Sequence, residues 1–131
     1  MMTPKARQRI MVIGFDANFC YLMQRYGRIG AYKLVFADHN EDIIVQAHKH
    51  KPGIIFLEVT QSGDFAWRLF KELKTSQDTS HIPIVICSWQ ADDLHGEQEN
   101  PDFYLRLPIL YEHFKDALDH VGGCKEKDSS L

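Results

Sequence analysis

Short apolar runs and amphipathic stretches alternate along this chain. Residues 10–13 form a run of four apolar side chains, and residues 32–37 form a second strand-like stretch. The runs at residues 54–57 and 83–87 are continuously apolar, which is typical of strands buried on both faces of a sheet. A short fifth strand is predicted at residues 103–105. The pattern therefore predicts five strands.

Between the strands, apolar residues recur at helical spacing and predict amphipathic helices. Gly27 and Gly30 are expected to end the first helix with a left-handed cap. Asn40 is expected to cap a second helix, with Lys49 and Lys51 near its end. The apolar faces are predicted from Phe19, Leu22, Met23 and Tyr26, from Ala66, Leu69, Phe70 and Leu73, and from Leu110, Phe114, Ala117, Leu118 and Val121.

This alternation predicts an α/β fold with a five-stranded, parallel, doubly wound sheet and helices on both faces. Residues 90–100 are polar and weakly patterned, so they should hold a short or irregular fourth helix. The domain is predicted over residues 9–121, between an extension at 1–8 and a flexible tail at 122–131. No attached output domain is therefore expected. Since such sheets bind ligands at the carboxyl ends of their strands, function is expected there.

Composition narrows the class of protein. The chain has 131 residues, 44% of them hydrophobic and 25% charged, as expected of one globular domain. A net charge of −3 argues against nucleic acid as the partner. No run reaches the roughly 18 apolar residues of a membrane span, and no signal peptide is evident. Three cysteines without a disulfide framework predict a cytoplasmic protein.

The sequence gives no sign of familiar catalytic or metal-binding motifs. His48 and His50 are two residues apart and would not face each other on a helix. No phosphate-binding loop and no nucleophile elbow occurs. We therefore expect no metal, no cofactor and no catalytic residues, and we do not expect an enzyme.

Three segments resemble the receiver domains of response regulators, in particular those like chemotaxis regulators. The third and fourth strands of that family are similar to residues 51–58, KPGIIFLE, and to residues 81–88, HIPIVICS. The latter ends at Ser88, the family's switch serine or threonine. Residues 102–108, DFYLRLP, resemble the fifth strand, and Tyr104 matches the aromatic switch position. The resemblance covers most of the chain and implies the receiver topology.

The departures from the receiver pattern concern phosphorylation. Phosphorylated receivers hold Mg²⁺ with an acidic pair after the first strand and with the phosphoacceptor aspartate. Here the pair positions read Gly14 and Phe15, and the phosphoacceptor position is Glu58. Asp16 comes one residue late, and only a local slip of the chain would bring it into the pair. The lysine position is Leu107. Since phosphoryl transfer relies on a metal and cations to neutralise charge, the resemblance is to an atypical pseudo-receiver without that machinery.

Glu58 has two interpretations. In the first it is a phosphomimetic, whose carboxylate accepts a hydrogen bond from Ser88 and holds Tyr104 inward. In the second it is a drifted residue, solvated or bonded to local backbone N–H groups. Arg106 should point to the opposite strand face from its neighbour and so would not replace the lysine. An apolar plug over Glu58 is predicted from Phe15, Trp89 and Leu107.

The segment between the fourth and fifth strands is acidic and has no Lys or Arg. In receiver domains the face made by the fourth helix, fifth strand and fifth helix is the usual output and dimerisation surface. An acidic version of it suggests a basic partner surface, and the alternative is a solvated loop. The residues concerned are Asp92, Asp93, Glu97, Glu99 and Asp102.

The predicted function is a phosphorylation-independent adaptor in a two-component-type signalling system. It would act by contact with a separate protein, such as a signalling kinase, an effector or a second copy of itself. One alternative is a residual phosphoacceptor. Another is a ligand-sensing module whose altered pocket is formed by Gly14, Phe15, Asp16, Glu58, Trp89 and Leu107. No nucleic-acid or membrane partner is expected.

Overall fold

The computed structural model describes residues 9–60, 64–89 and 102–123. Within them the strands are β1 (Arg9–Ile13), β2 (Lys33–Phe36), β3 (Ile54–Glu58), β4 (Ile84–Ser88) and β5 (Phe103–Arg106). The helices are α1 (Ala17–Ile29), α2 (Ile43–His50), α3 (Asp64–Thr75) and α4 (Tyr111–Leu118), the last continued by a π-helical turn, Asp119–Gly123. All five predicted strands are confirmed.

The strands form one parallel sheet in the order β2-β1-β3-β4-β5. This is the flavodoxin-like order of doubly wound sheets, and it confirms the predicted fold. Every residue of β3 and β4 is buried, as their continuous apolar runs predicted. From β1 the chain adds β2 on one side of the sheet and β3, β4 and β5 on the other, so the direction of winding changes between β1 and β3. The carboxyl ends of these two strands therefore form the crevice in which such folds place their ligands.

Each face of the sheet carries its own hydrophobic layer. Along β1, Ile10 and Val12 face α1 and α4, whereas Met11 and Ile13 face α2 and α3. The α1–α4 layer is rich in stacked rings, and the Phe56 and Phe114 centroids lie 5.3 Å apart. The α2–α3 layer is mainly aliphatic. All four predicted apolar positions of α3 are buried: Ala66, Leu69, Phe70 and Leu73.

The predicted end of α1 is wrong. Gly27 lies inside the helix, where an added Cβ would come within 2.5 Å of Leu34 Cδ1. This glycine therefore serves the close approach of α1 to β2. Gly30 does end the helix, but with a right-handed φ of −88°. The residue with positive φ is Ala31, at 61°.

The predicted cap of α2 is also wrong. Asp42, not Asn40, is the N-cap, and its carboxylate accepts from the N–H groups of Ile44 at 2.9 Å and Val45 at 3.2 Å. At the start of α4, Leu110 occupies the N-cap position and is exposed rather than part of the apolar face. For α2, both Asn40 and Asp42 are residue types that form good N-caps, and the packing of the helix decides which of them does so.

Some predictions lie outside the described residues. These are the extension at 1–8, most of the tail, the fourth helix within 90–101, and the acidic residues Asp92, Asp93, Glu97 and Glu99. The predicted domain end at 121 falls inside the π-helical turn, which continues through Gly123. In the described ranges, no helix has the length and apolar character needed to cross a bilayer.

Candidate functional site

A buried carboxylate lies at the carboxyl ends of β1 and β3. Glu58 is the last residue of β3 and is only 4% exposed. Its Oε1 accepts two backbone hydrogen bonds, from the N–H of Phe15 at 2.6 Å and from the N–H of Asp16 at 2.9 Å. A carboxylate with charge-assisted bonds to backbone N–H groups is a strong anchor. Glu58 therefore fastens the connection that follows β1 to the end of β3.

Gly14 is enclosed by the start of α1. A Cβ at this position would lie 2.8 Å from both Phe19 Cδ2 and Cys20 Sγ. Phe19 is buried in the α1–α4 layer, so its ring cannot swing away without disturbing the core. A side chain at Gly14, which the resemblance places at the first position of the acidic pair, would therefore clash with the start of α1.

Asp16 caps α1. Its Oδ2 accepts from the backbone N–H of Asn18 at 3.0 Å and of Phe19 at 3.1 Å, as an N-cap aspartate does. The sequence left open whether Asp16, one residue late, would serve in the acidic pair. In the structure this carboxylate is used at the helix terminus, while its backbone N–H binds Glu58.

Three exposed rings pack on one another beside Glu58. The Phe15 ring stacks on His39 with centroids 4.6 Å apart and meets the edge of Phe65 at 5.7 Å. His39 Nε2 lies 2.7 Å from the Gly14 carbonyl oxygen, as a donated hydrogen bond requires. Sequence reasoning missed His39 and Phe65. His39 follows the end of β2, so searching every strand end would have found it.

The other end of the site lies over β4 and β5. Ser88 is buried at the end of β4, and its carbonyl accepts from the Leu107 N–H at 2.9 Å. Tyr104 is half-buried against the α2–α3 layer. Leu107 is buried in the α1–α4 layer, while Arg106 is exposed. The predicted opposite orientation of these last two neighbours is confirmed.

The predicted apolar plug over Glu58 is not what the structure has. Trp89 is 62% exposed and Phe15 is 39% exposed, and Leu107 packs into the core below. The Glu58 carboxylate is instead bound by backbone, the N–H groups of Phe15 and Asp16. Apolar residue type alone did not reveal which of these side chains turn outward.

Asp102, expected on an interaction face, lies at the opposite edge of the sheet. Its Oδ2 accepts from Lys74 Nζ at 3.1 Å and from the Ile84 N–H at 2.8 Å. Lys74 Nζ also donates to the Ile82 carbonyl at 2.9 Å. Asp102 therefore joins the beginnings of β4 and β5 to the end of α3, and this structural role differs from the expected one.

Two thiols lie near the site. Burial raises the pKa of the Cys20 thiol, and the negative charges of Glu58 and Asp16 raise it further. Cys87 is completely enclosed in β4, and burial raises its pKa well above the ordinary value, with Glu58 adding to the shift. Both thiols are therefore held neutral, and the Cys20 thiol is sensitive to the charge on Glu58.

Within the described part of the chain, no three His, Cys, Asp or Glu side chains come together as metal ligands would. One oxygen of Glu58 and one of Asp16 are instead engaged by backbone N–H groups.

The fold has close counterparts among solved structures. The chemotaxis protein CheY4 of Vibrio cholerae superposes with a TM-score of 0.75 at 14% identity, over 87% of this chain and 98% of that one. A putative response regulator from Chloroflexus aurantiacus gives 0.76 at 18% identity, over 87% and 96%. The chain has the receiver fold. The receiver domain of the sensor histidine kinase PA1611 from Pseudomonas aeruginosa, whose structure holds a magnesium ion in the active-site cleft, gives 0.74 at 15% identity, over 88% and 98%.

One curated relative is similar over nearly its whole length. Protein PilH of Pseudomonas aeruginosa is 19% identical over 116 residues, which are 86% of this chain and 96% of that protein. No protein-family model matches the chain. The receiver fold is thus supported by both sequence and structure.

Proposed function

We propose that this chain is a phosphorylation-independent, non-enzymatic adaptor of a two-component-type signalling system, acting by contact with another protein. The observation that carries the proposal is the state of Glu58. It occupies the phosphoacceptor position of the receiver pattern, it is nearly fully buried, and its Oε1 is bound by two backbone N–H groups. A group used in this way is poorly placed to receive a phosphoryl group.

The donor set at the strand ends also fits Mg²⁺ poorly. This ion takes oxygen ligands in near-octahedral geometry, usually one or two carboxylates with waters. Gly14 offers no side chain and has no space for one, and the Asp16 carboxylate caps α1. Oxygens committed to backbone N–H groups would have to give up those bonds to bind the metal, which argues against metal-assisted phosphoryl transfer.

The cation that a receiver needs at the end of β5 has no substitute at this position. Leu107 is packed with the apolar residues of the α1–α4 layer, and the exposed Arg106 points away from it. Without a metal and a cation, the charge on a transferring phosphoryl group would stay uncompensated. A residual phosphoacceptor is therefore the weaker candidate.

The hydrogen bonds of Glu58 favour its structural interpretation over the phosphomimetic one. Its Oε1 serves the backbone of residues that directly follow β1. These bonds give Glu58 a role in the fold that needs no ligand, which favours an adaptor over a ligand-sensing module.

The proposal is tested by amide NMR of the full chain with Mg²⁺ and beryllofluoride, a phosphoryl mimic. A receiver domain that retains the aspartate, the acidic pair and the lysine serves as the matched control. We expect large shifts in the control and none clustered at residues 14–16 and 58 of this chain. Clustered shifts there, or a covalent phosphate found by mass spectrometry after incubation with acetyl phosphate, would overturn the proposal.

A further inference from the structure

The two edges of the sheet differ in charge, since Asp78 and Asp102 lie beside basic residues at the amino edge, whereas the described connections at the carboxyl edge are acidic. At the amino edge, Arg9, Lys33 and Lys51 stand at or beside the beginnings of strands. At the carboxyl edge, the described connections 14–16, 37–42, 59–60, 89 and 107–110 contain no Lys or Arg. Their acidic residues, with the first residue of α3, are all exposed: Asp16, Asp38, Glu41, Asp42 and Asp64.

The acidic edge surrounds an exposed aromatic patch formed by Phe15, His39 and Phe65. These residues follow β1, follow β2 and begin α3, so three adjacent connections contribute one ring each. Phe15 is 39% and Phe65 48% exposed, and the rings contact one another. Exposed apolar surface that is contiguous and rimmed by polar groups commonly marks an interaction site.

We propose that this aromatic patch docks a short basic segment, with apolar side chains, from a partner protein. The apolar side chains would cover the phenyl rings, and Lys or Arg stems would lie along them with their charges over the ring faces and near the acidic rim. Charge complementarity favours a basic segment, since an acidic one would be repelled by the carboxylates of three connections.

Two exposed arginines, Arg106 and Arg68, limit where the segment can lie. Arg106 ends β5, which is separated from β1 by β3 and β4. Arg68 lies one turn into α3, beyond Asp64. A basic segment is therefore directed over β2, β1 and β3, away from the β5 end of the sheet.

This inference rests on the proposed function in that an adaptor needs a docking surface. The probe is a fluorescent amphipathic peptide of about 14 residues built from Lys and Leu, titrated with the full chain at low salt. The matched peptides replace every Lys by Glu or every Leu by Ser. Of the three peptides, we expect the Lys/Leu peptide to bind at least tenfold more tightly than the other two, and we expect added salt to weaken its binding. Equal binding of the Glu/Leu peptide would overturn the charge argument.

Substitutions in the chain test whether the peptide binds at the aromatic patch. We expect Phe65→Ala to weaken binding about tenfold, as removal of a central aromatic contact does. The control Ile29→Ala truncates a similarly exposed apolar residue at the end of α1 and should leave binding unchanged. Asp38→Asn, Asp42→Asn and Asp64→Asn together should also weaken binding, while the Asn side chain retains the cap of α2.

Two results would overturn the inference. One is peptide binding that Phe65→Ala leaves unchanged. The other is self-association of the chain, measured by sedimentation, that Phe65→Ala abolishes, because the occupant would then be a second copy. Neither result depends on beryllofluoride, so this inference and the proposed function can fail separately.

Discussion

The carboxyl edge of the sheet has two halves that are built differently. Over β1 and β3, a buried carboxylate is held by backbone N–H groups, with exposed rings and acidic residues around it. Over β4 and β5, Leu107 is drawn into the core and Arg106 is turned out. In the receiver pattern both halves serve one phosphoryl group. Here the β1–β3 half holds the connection that follows β1, and the β4–β5 half contributes Leu107 to the α1–α4 layer.

The difference shows that the residue at a strand end can have a different chemical role even where the strand itself has the same position in the fold. Glu58 remains polar and finds polar partners in the backbone. Leu107 is apolar and finds partners in the layer beneath it. Each residue therefore stabilises the fold by its own chemistry, and the two halves can be tested separately.

Placing a charge in the β5 half should have the largest effect. Leu107→Lys would bury an ammonium group among apolar side chains, and we expect the free energy of unfolding to fall by about 2–4 kcal/mol in urea titrations. The control Leu107→Met conserves volume and should cost less than about 1.5 kcal/mol. Unchanged stability of the lysine variant would mean that its charge reaches Glu58, so that the two halves are connected.

Removing the acceptor in the β3 half should have an intermediate effect. Glu58→Leu leaves the partly buried N–H groups of Phe15 and Asp16 without this acceptor, which should cost about 1–3 kcal/mol. Glu58→Gln keeps an acceptor oxygen and should cost less. Hydrogen exchange of these two amides should accelerate in the leucine variant. Equal stability of the two variants would show that the anchor contributes little.

The smallest effect is expected at Cys20, which reports the charge of Glu58. Since that charge raises the thiol's pKa, Glu58→Gln should lower the pKa of Cys20 and so increase the thiolate fraction. Alkylation by iodoacetamide at pH 8 should then be faster, measured in a Cys124→Ser background. Asp102→Asn, at the other edge of the sheet, is the control. An unchanged rate would place the Glu58 charge out of reach of the thiol.

The sequence predicted the fold well because long apolar runs and helical periodicity are encoded locally. The buried run of β3 and the stripe of α3 are examples, and the motif resemblance located Glu58 and Leu107 at the strand ends. What it did not predict depends on neighbours distant in the chain. The Glu58 bonds to Phe15 and Asp16 span more than forty residues.

Contacts between residues distant in the chain also explain two wrong predictions, the N-cap of α2 and the apolar plug over Glu58. Asn40 and Asp42 both form good caps, and the choice depends on where α2 meets the sheet. There the buried Gln46 side chain bonds the backbone of Asp38 through both its oxygen and its nitrogen. Trp89 and Phe15 look like plug residues by type, yet their side chains are exposed, and the backbone N–H of Phe15 binds Glu58 instead of its ring covering it.

The enclosed Gly14 has a consequence for how this sequence can change. Any side chain at that position meets Phe19 and Cys20 first, so an acidic residue there would require smaller neighbours at the same time. Each substitution alone would lose packing before any metal ligand was gained. A single substitution that adds a carboxylate at position 14 is therefore expected to lower the stability of the protein unless Phe19 or Cys20 changes with it.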